Sequence, residues 1–158
     1  MQNIVEKVVD ILIKNGLSIT TAESCTGGLI ASSIVSVSNA SKVFNEAYVT
    51  YANSSKIKLL GVSQKSIDKY GVVSEVVTRE MAIGAAKNSN ADVSLVSSGI
   101  AGPTGGSLEK PVGTVCFGIF LKGKIYTYTK KFGNLGRNVV REKSKDYILT
   151  TLHDLLTK

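Results

Sequence analysis

Residues 21 to 28 read Thr-Ala-Glu-Ser-Cys-Thr-Gly-Gly and bring a hydroxyl, a thiol, a carboxylate and two glycines into one short stretch. A β-rich run, Leu17 to Ala22, precedes it, and a helix-like run, Leu29 to Ile34, follows. A strand that turns sharply into a helix presents side chains at the strand's carboxyl end and unpaired N–H groups at the helix start. That arrangement suits nucleophilic attack by Ser24 or Cys25, or anion binding by the backbone of Cys25, Thr26, Gly27 and Gly28. The same residues also make an ordinary strand–helix turn, with a hydroxyl as cap and glycines for tightness.

A second glycine-rich segment, Gly99-Ile-Ala-Gly-Pro-Thr-Gly-Gly106, continues to Pro111 and Gly113. It repeats the tripeptide: Thr26-Gly27-Gly28 and Thr104-Gly105-Gly106 each follow an expected strand. Loops at the carboxyl ends of strands in one sheet can face each other across a crevice. Neither segment is a standard nucleotide fingerprint, because GxxxxGK[ST] and GxGxxG are both missing. Glycines at Gly99, Gly102 and Gly105, with Ala101, Pro103 and Thr104 between them, can still offer N–H groups to a phosphate or an oxyanion. A connection of this length without secondary structure is itself a mark of function.

A serine nucleophile needs a base. The one histidine, His153, falls on a C-terminal helical pattern and reads as a surface or packing residue, so a Ser-His-Asp triad is not expected. The spacing Ser66-Ile-Asp-Lys69 matches an SxxK signature but lacks its companion motifs. Lys56 is the better candidate, just beyond Tyr51 at the end of the second expected strand. A lysine in a dry site has a lowered pKa and accepts a proton from serine, and a tyrosine hydroxyl beside it can relay that proton or hold the geometry. Taken alone, the pair also reads as a surface lysine and a packing tyrosine. Arg137 and Arg141 stand apart from the many lysines, because arginine suits bidentate phosphate recognition.

These residues need a frame. The pattern predicts helices near 4–15, 28–37, 54–60, 63–69, 75–87 and 137–156, and strands near 17–22, 45–51, 92–98, 113–121 and 124–132. Gly84, Ala85 and Ala86 predict a helix packed closely on a sheet or another helix. Lys122-Gly123 predicts a hairpin. Alternation of helices and strands followed by a hairpin predicts one α/β domain over 1–158, with three α/β/α layers and a mixed sheet.

The 158 residues suffice for a sizeable core. The first residues lack a basic segment followed by an apolar one, so no signal peptide is expected, and no apolar run is long enough to span a bilayer. Cys25 and Cys116 make no disulfide framework, which favours reduced thiols in the cytoplasm; Cys116 reads as a buried strand residue. One histidine and no CxxC spacing leave no basis for a metal site, and no cofactor is implied. Lysine and arginine outnumber the acids by 19 to 12, a net charge of +7. No aromatic-interleaved basic run or nucleic-acid motif accompanies that excess, so it reads as a solvated surface rather than a nucleic-acid interface.

Taken together, Thr20–Gly28, Tyr48-Val-Thr-Tyr51, Val72-Val-Ser-Glu75, Met81-Ala-Ile-Gly84, Ser98–Gly106 and Lys110-Pro-Val-Gly-Thr114 resemble the CinA C-terminal domain family across nearly the whole chain. The resemblance implies a nicotinamide-nucleotide amidase, which hydrolyses the carboxamide of nicotinamide mononucleotide to nicotinate mononucleotide and ammonia, and a homo-oligomer. It places the family's serine nucleophile on Ser24, its tyrosine on Tyr51 and its lysine on Lys56. It implies that the backbone of Cys25 to Gly28 holds the oxyanion, and that Arg137 with the 99–106 loop holds the ribose phosphate. The family pattern has Gly-Asp/Asn-Arg before the last helix. Here the chain reads Phe132-Gly-Asn-Leu-Gly-Arg-Asn-Val-Val-Arg141, which keeps the spacing of the two arginines but alters the loop before them. Longer relatives tied to competence and DNA damage carry a further N-terminal domain, whose activity is not expected here. The rival expectation is a non-catalytic nucleotide-binding or competence-associated module on the same fold.

Overall fold

Val5, Val8, Val9 and Leu12 recur at helical spacing, and in the computed structural model, which describes residues 1–158, they are the buried stripe of helix α1 (Ile4–Asn15). Asn3 and Glu6 form a reciprocal capping box at its start. Gly16 ends it in the left-handed conformation. The chain continues through β1 (Ile19–Glu23), α2 (Leu29–Val35), β2 (Tyr48–Val49), α3 (Asn53–Leu60), α4 (Gln64–Tyr70), α5 (Glu75–Ser89), β3 (Val93–Gly99), β4 (Thr114–Leu121), β5 (Lys124–Lys131) and α6 (Arg137–Leu156).

The sheet has five strands in the order β2-β1-β3-β4-β5. The first three run parallel, and β4 and β5 are antiparallel. The expected mixed α/β sheet is therefore present. One core cluster joins α1, α2 and α6 to Ile19, Leu95 and Phe117. The other packs α3, α4 and α5 on Ala22 and Val96 on the opposite face. Strand side chains alternate between faces, so Glu23 shares the face of Ile19 and points toward α2.

Close approach explains the small residues of α5. A Cβ on Gly84 would meet the Leu60 carbonyl oxygen of α3 at 1.9 Å, and one on Gly118 of β4 would meet that of Thr78 at 2.5 Å. Ile83, by contrast, is exposed. Lys122 and Gly123, with φ of 49° and 87°, make the β4–β5 turn with the positive dihedrals of a type I′ hairpin.

Some boundaries differ from the pattern. The strand expected over 45–51 pairs only at Tyr48 and Val49, against Ala22 and Glu23, because it is a sheet edge. β1 begins at Ile19 rather than Leu17, since the Leu17 N–H closes the end of α1 on Leu12. α2 stops at Val35 rather than Val37, and a 3₁₀ turn at Ala40–Lys42 follows. Cys116 is buried in β4, as expected.

β1 and β3 are parallel neighbours, so their carboxyl ends, Glu23 and Gly99, open side by side. From β1 the chain goes to α2 on one face, and from β2 it goes to α3–α5 on the other. Such a reversal leaves a crevice at the strand ends.

Candidate functional site

Ser24 is the first residue past β1, and its N–H donates to the Ser97 carbonyl at 3.0 Å, which fixes the turn to β3. Opposite it, Lys56 in α3 is 1% exposed. Its Nζ lies 3.1 Å from Ser24 Oγ, 2.7 Å from the Thr50 carbonyl and 3.2 Å from the Tyr51 carbonyl. No carboxylate pairs with this amine. Burial pushes the Lys56 pKa below its ordinary value, with the neighbouring Cys25 acting weakly the other way. Three acceptors surround Nζ, so the ammonium satisfies each with one N–H; after loss of a proton, two N–H bonds serve the carbonyls and a lone pair faces the serine hydroxyl, the geometry of a base for Ser24.

Cys25 lines the same space, yet burial pushes its thiol up to about 11. It is protonated at neutral pH and a poor nucleophile. Of the two candidate nucleophiles, Ser24 is the one whose side chain meets the Lys56 amine.

The carboxylate of Glu23, fully buried, has four donors around it: the hydroxyls of Thr21 and Thr26 at 3.0 and 2.7 Å, and the N–H groups of Ile30 and Ala31 at 2.9 and 3.0 Å. It caps α2 from the preceding strand. The Thr26 hydroxyl also meets Ser97 Oγ at 2.6 Å. The first turn of α2 is thus occupied by the protein's own carboxylate. The Gly27 N–H is occupied too, by the Ser24 carbonyl at 3.1 Å. The backbone donors left without a partner in another residue are those of Cys25, Thr26 and Gly28. This narrows the set expected to hold an oxyanion.

Tyr51 departs from expectation. It is 63% exposed, and it meets Lys56 through its carbonyl. Its hydroxyl accepts instead from Arg137 Nη2 at 2.9 Å. The same guanidinium donates through Nη1 to the Gly102 carbonyl at 2.9 Å and so spans from the β2–α3 connection to the glycine-rich loop. A proton relay through the Tyr51 hydroxyl is not the arrangement formed, because two residues of extended chain past β2 turn the ring toward α6.

A cavity of about 320 Å³ gathers Ser24, Cys25, Tyr51, Lys56 and Arg137 with Gly99, Ala101, Gly102, Thr104 and Gly105. Thr26, Gly27, Gly28 and Pro103 lie outside its lining. Asn53, Val72, Val73, Ser98 and Ile100 join it without having been singled out in the sequence. Val72, Val73, Ser98 and Ile100 fall in the recognisable segments and so carried a signal; Asn53 carried none. Arg141 does not reach the cavity: its Nε and Nη2 donate to the carbonyls of Cys25 and Thr26 at 2.9 and 3.1 Å. No group of histidine, cysteine and acidic side chains is arranged to hold a metal ion, and no helix is long and apolar enough to cross a membrane.

The sequence model of the CinA C-terminal domain matches residues 1–156. A Clostridium beijerinckii protein named as competence-damage inducible is 49% identical over 156 residues, which cover 99% of this chain and 38% of that relative. The chain thus spans well under half the length of that relative. Among solved structures, a competence-damaged protein (CinA) superfamily protein from Escherichia coli aligns with a TM-score of 0.92 and 36% identity, over 99% of this chain and 89% of its own. One from Klebsiella pneumoniae aligns with a TM-score of 0.94 and 30% identity, over 99% of both chains.

Proposed function

The chain belongs to the CinA C-terminal domain family, and from that premise we propose that it is a serine amidohydrolase that deamidates nicotinamide mononucleotide. The observation that carries this reading is the buried Lys56 amine, without a counter-ion, 3.1 Å from Ser24 Oγ at the wall of a cavity.

Lys56, as the neutral amine, takes the proton of Ser24 as Oγ bonds to the carboxamide carbon. The carbonyl π pair moves onto oxygen, and unpaired N–H groups of the Ser24–Gly28 turn stabilise the oxyanion; losing one such donor typically costs about 3 kcal/mol. Lys56 then passes its proton to the amide nitrogen, the C–N bond breaks and ammonia leaves. Water attacks the acyl-serine, giving one proton to Lys56, which returns it to Ser24. The products are the nicotinate nucleotide and the free enzyme.

Arg137 supplies a cation on the cavity wall for the phosphate, and Thr104 and Gly105 supply polar groups beside it. Tyr51, tied to Arg137, is a wall for the ring rather than a relay.

The test is ammonia release from nicotinamide mononucleotide by the purified protein, with nicotinate mononucleotide identified as the product. Turnover at stoichiometric release is expected. No release by folded protein contradicts the reading and leaves a non-catalytic nucleotide-binding module.

A further inference from the structure

Arg137 and Arg141 stand one helical turn apart at the start of α6, and their guanidinium groups do different things. Arg137 is exposed, lines the cavity and touches Tyr51 and Gly102. Arg141 is half-buried and outside the cavity lining, with Nε on the Cys25 carbonyl, Nη2 on the Thr26 carbonyl, and Nη1 on Asn138 Oδ1 at 3.0 Å. A Cβ on Gly27 would lie 3.6 Å from Arg141 Nη2, so the guanidinium sits close against the turn.

The two peptide units after Ser24 are gripped by their oxygens. The Ser24 carbonyl accepts from Gly27 N–H, and the Cys25 carbonyl accepts from Arg141. A trans peptide is planar, with C=O and N–H pointing in opposite directions. Holding each oxygen therefore fixes the direction of the N–H on its far side, and those are the N–H groups of Cys25 and Thr26. Neither donates to another residue. Two consecutive unpaired N–H groups directly after Ser24, on peptide planes held from behind, are the donors that a pre-set oxyanion site needs.

We propose that Arg141 is a positioning residue for the oxyanion site of Ser24: its hold on the Cys25 carbonyl sets the Thr26 N–H, its hold on the Thr26 carbonyl sets the Gly27 N–H that grips the Ser24 carbonyl and so the Cys25 N–H, and it does not bind the substrate phosphate. This rests on the serine amidohydrolase reading. Asn138 steers the clamp from the other end of the guanidinium.

The test uses two readouts on the full chain. One is kcat and KM for nicotinamide mononucleotide. The other is the rate at which a small alkyl fluorophosphonate labels Ser24: the Oγ–P bond forms, the P–F bond breaks, fluoride leaves and the serine proton goes to Lys56. That reaction draws on the same amine and oxyanion donors but needs no nucleotide. Arg141→Ala is expected to lower kcat and the labelling rate together, by about 10²-fold, with KM within about twofold. Arg141→Lys, which keeps the charge on one donor nitrogen, falls between, and Asn138→Ala loses less than either. Arg137→Ala is expected to raise KM. Wild-type labelling by Arg141→Ala or Arg141→Lys, with a raised KM, overturns the proposal and makes Arg141 a phosphate contact. Should Arg141→Ala melt early, Arg141→Lys and Asn138→Ala carry the same comparison, and wild-type labelling rates in both overturn it. If the wild type labels at Ser24 yet releases no ammonia, the amidase reading fails while the labelling rates still decide the role of Arg141.

Discussion

The chain uses Thr-Gly-Gly twice, at 26–28 and at 104–106, each time past a parallel strand, and the two copies end in opposite conditions. Thr26 is fully buried, with its hydroxyl between Glu23 and Ser97 and its carbonyl under Arg141. Thr104 is exposed on the cavity rim, and its hydroxyl has no partner within the protein. The first turn is braced from three sides by β3, α2 and α6. The second is a loop free to meet a ligand. Identical tripeptides therefore form one braced turn and one open loop, and the difference lies in what packs behind them. A buried carboxylate and an arginine clamp stand behind one, and solvent stands behind the other.

Variants can break or sharpen that contrast. The largest effect belongs to the nucleophile on the braced turn. Ser24→Ala is expected to lower ammonia release about 10⁴-fold or more, while Cys25→Ala, which removes a neutral thiol, stays within about tenfold. The reverse ranking would make the thiol the attacking group. Next, Glu23→Gln should loosen the brace. An amide presents an NH₂ where the carboxylate accepts from donors, at a cost of about 1–3 kcal/mol for an unsatisfied buried group. Urea unfolding of the variant should read that loss, and an unchanged midpoint would show that the turn does not depend on the carboxylate. The smallest effect is expected on the open loop. Thr104→Ala should raise KM a few-fold, roughly the worth of one hydrogen bond, with kcat and unfolding midpoint unchanged. A large fall in kcat there would erase the distinction between the loops.

Much of this was legible in the residues. The apolar stripe of α1, the Lys122-Gly123 hairpin and the close-packed glycine of α5 follow from local rules that tertiary contacts do not override. The short edge strand β2 was overextended, because alternation at 45–51 marks a β-rich segment but not how many partners it finds. Ser24, Lys56 and Arg137 were singled out and do meet around one cavity. What the Tyr51 hydroxyl touches was not legible, since a residue two positions beyond a strand can turn to either side. The role of Glu23 was not legible either. A carboxylate one residue before a nucleophile reads as chemistry, and only the position of α2 over β1 reveals a cap. Arg141 was visible as an arginine at helical spacing from Arg137, whereas its carbonyl partners lie 115 and 116 residues away in the chain.

The account turns on Lys56 being the neutral base for Ser24. Burial without a counter-ion lowers its pKa from 10.5, so the active neutral form grows as pH rises through that lowered value. The pH profile of kcat/KM for nicotinamide mononucleotide, which reports ionisations of the free enzyme, tests this most directly when measured for wild type and for Lys56→Ala. The predicted result is a wild-type rate that climbs with pH along a single ionisation below 10.5, and a Lys56→Ala variant that is folded, about 10²–10⁴-fold slower and without that limb. A variant that keeps both the rate and the limb would contradict the assignment of Lys56 as the base.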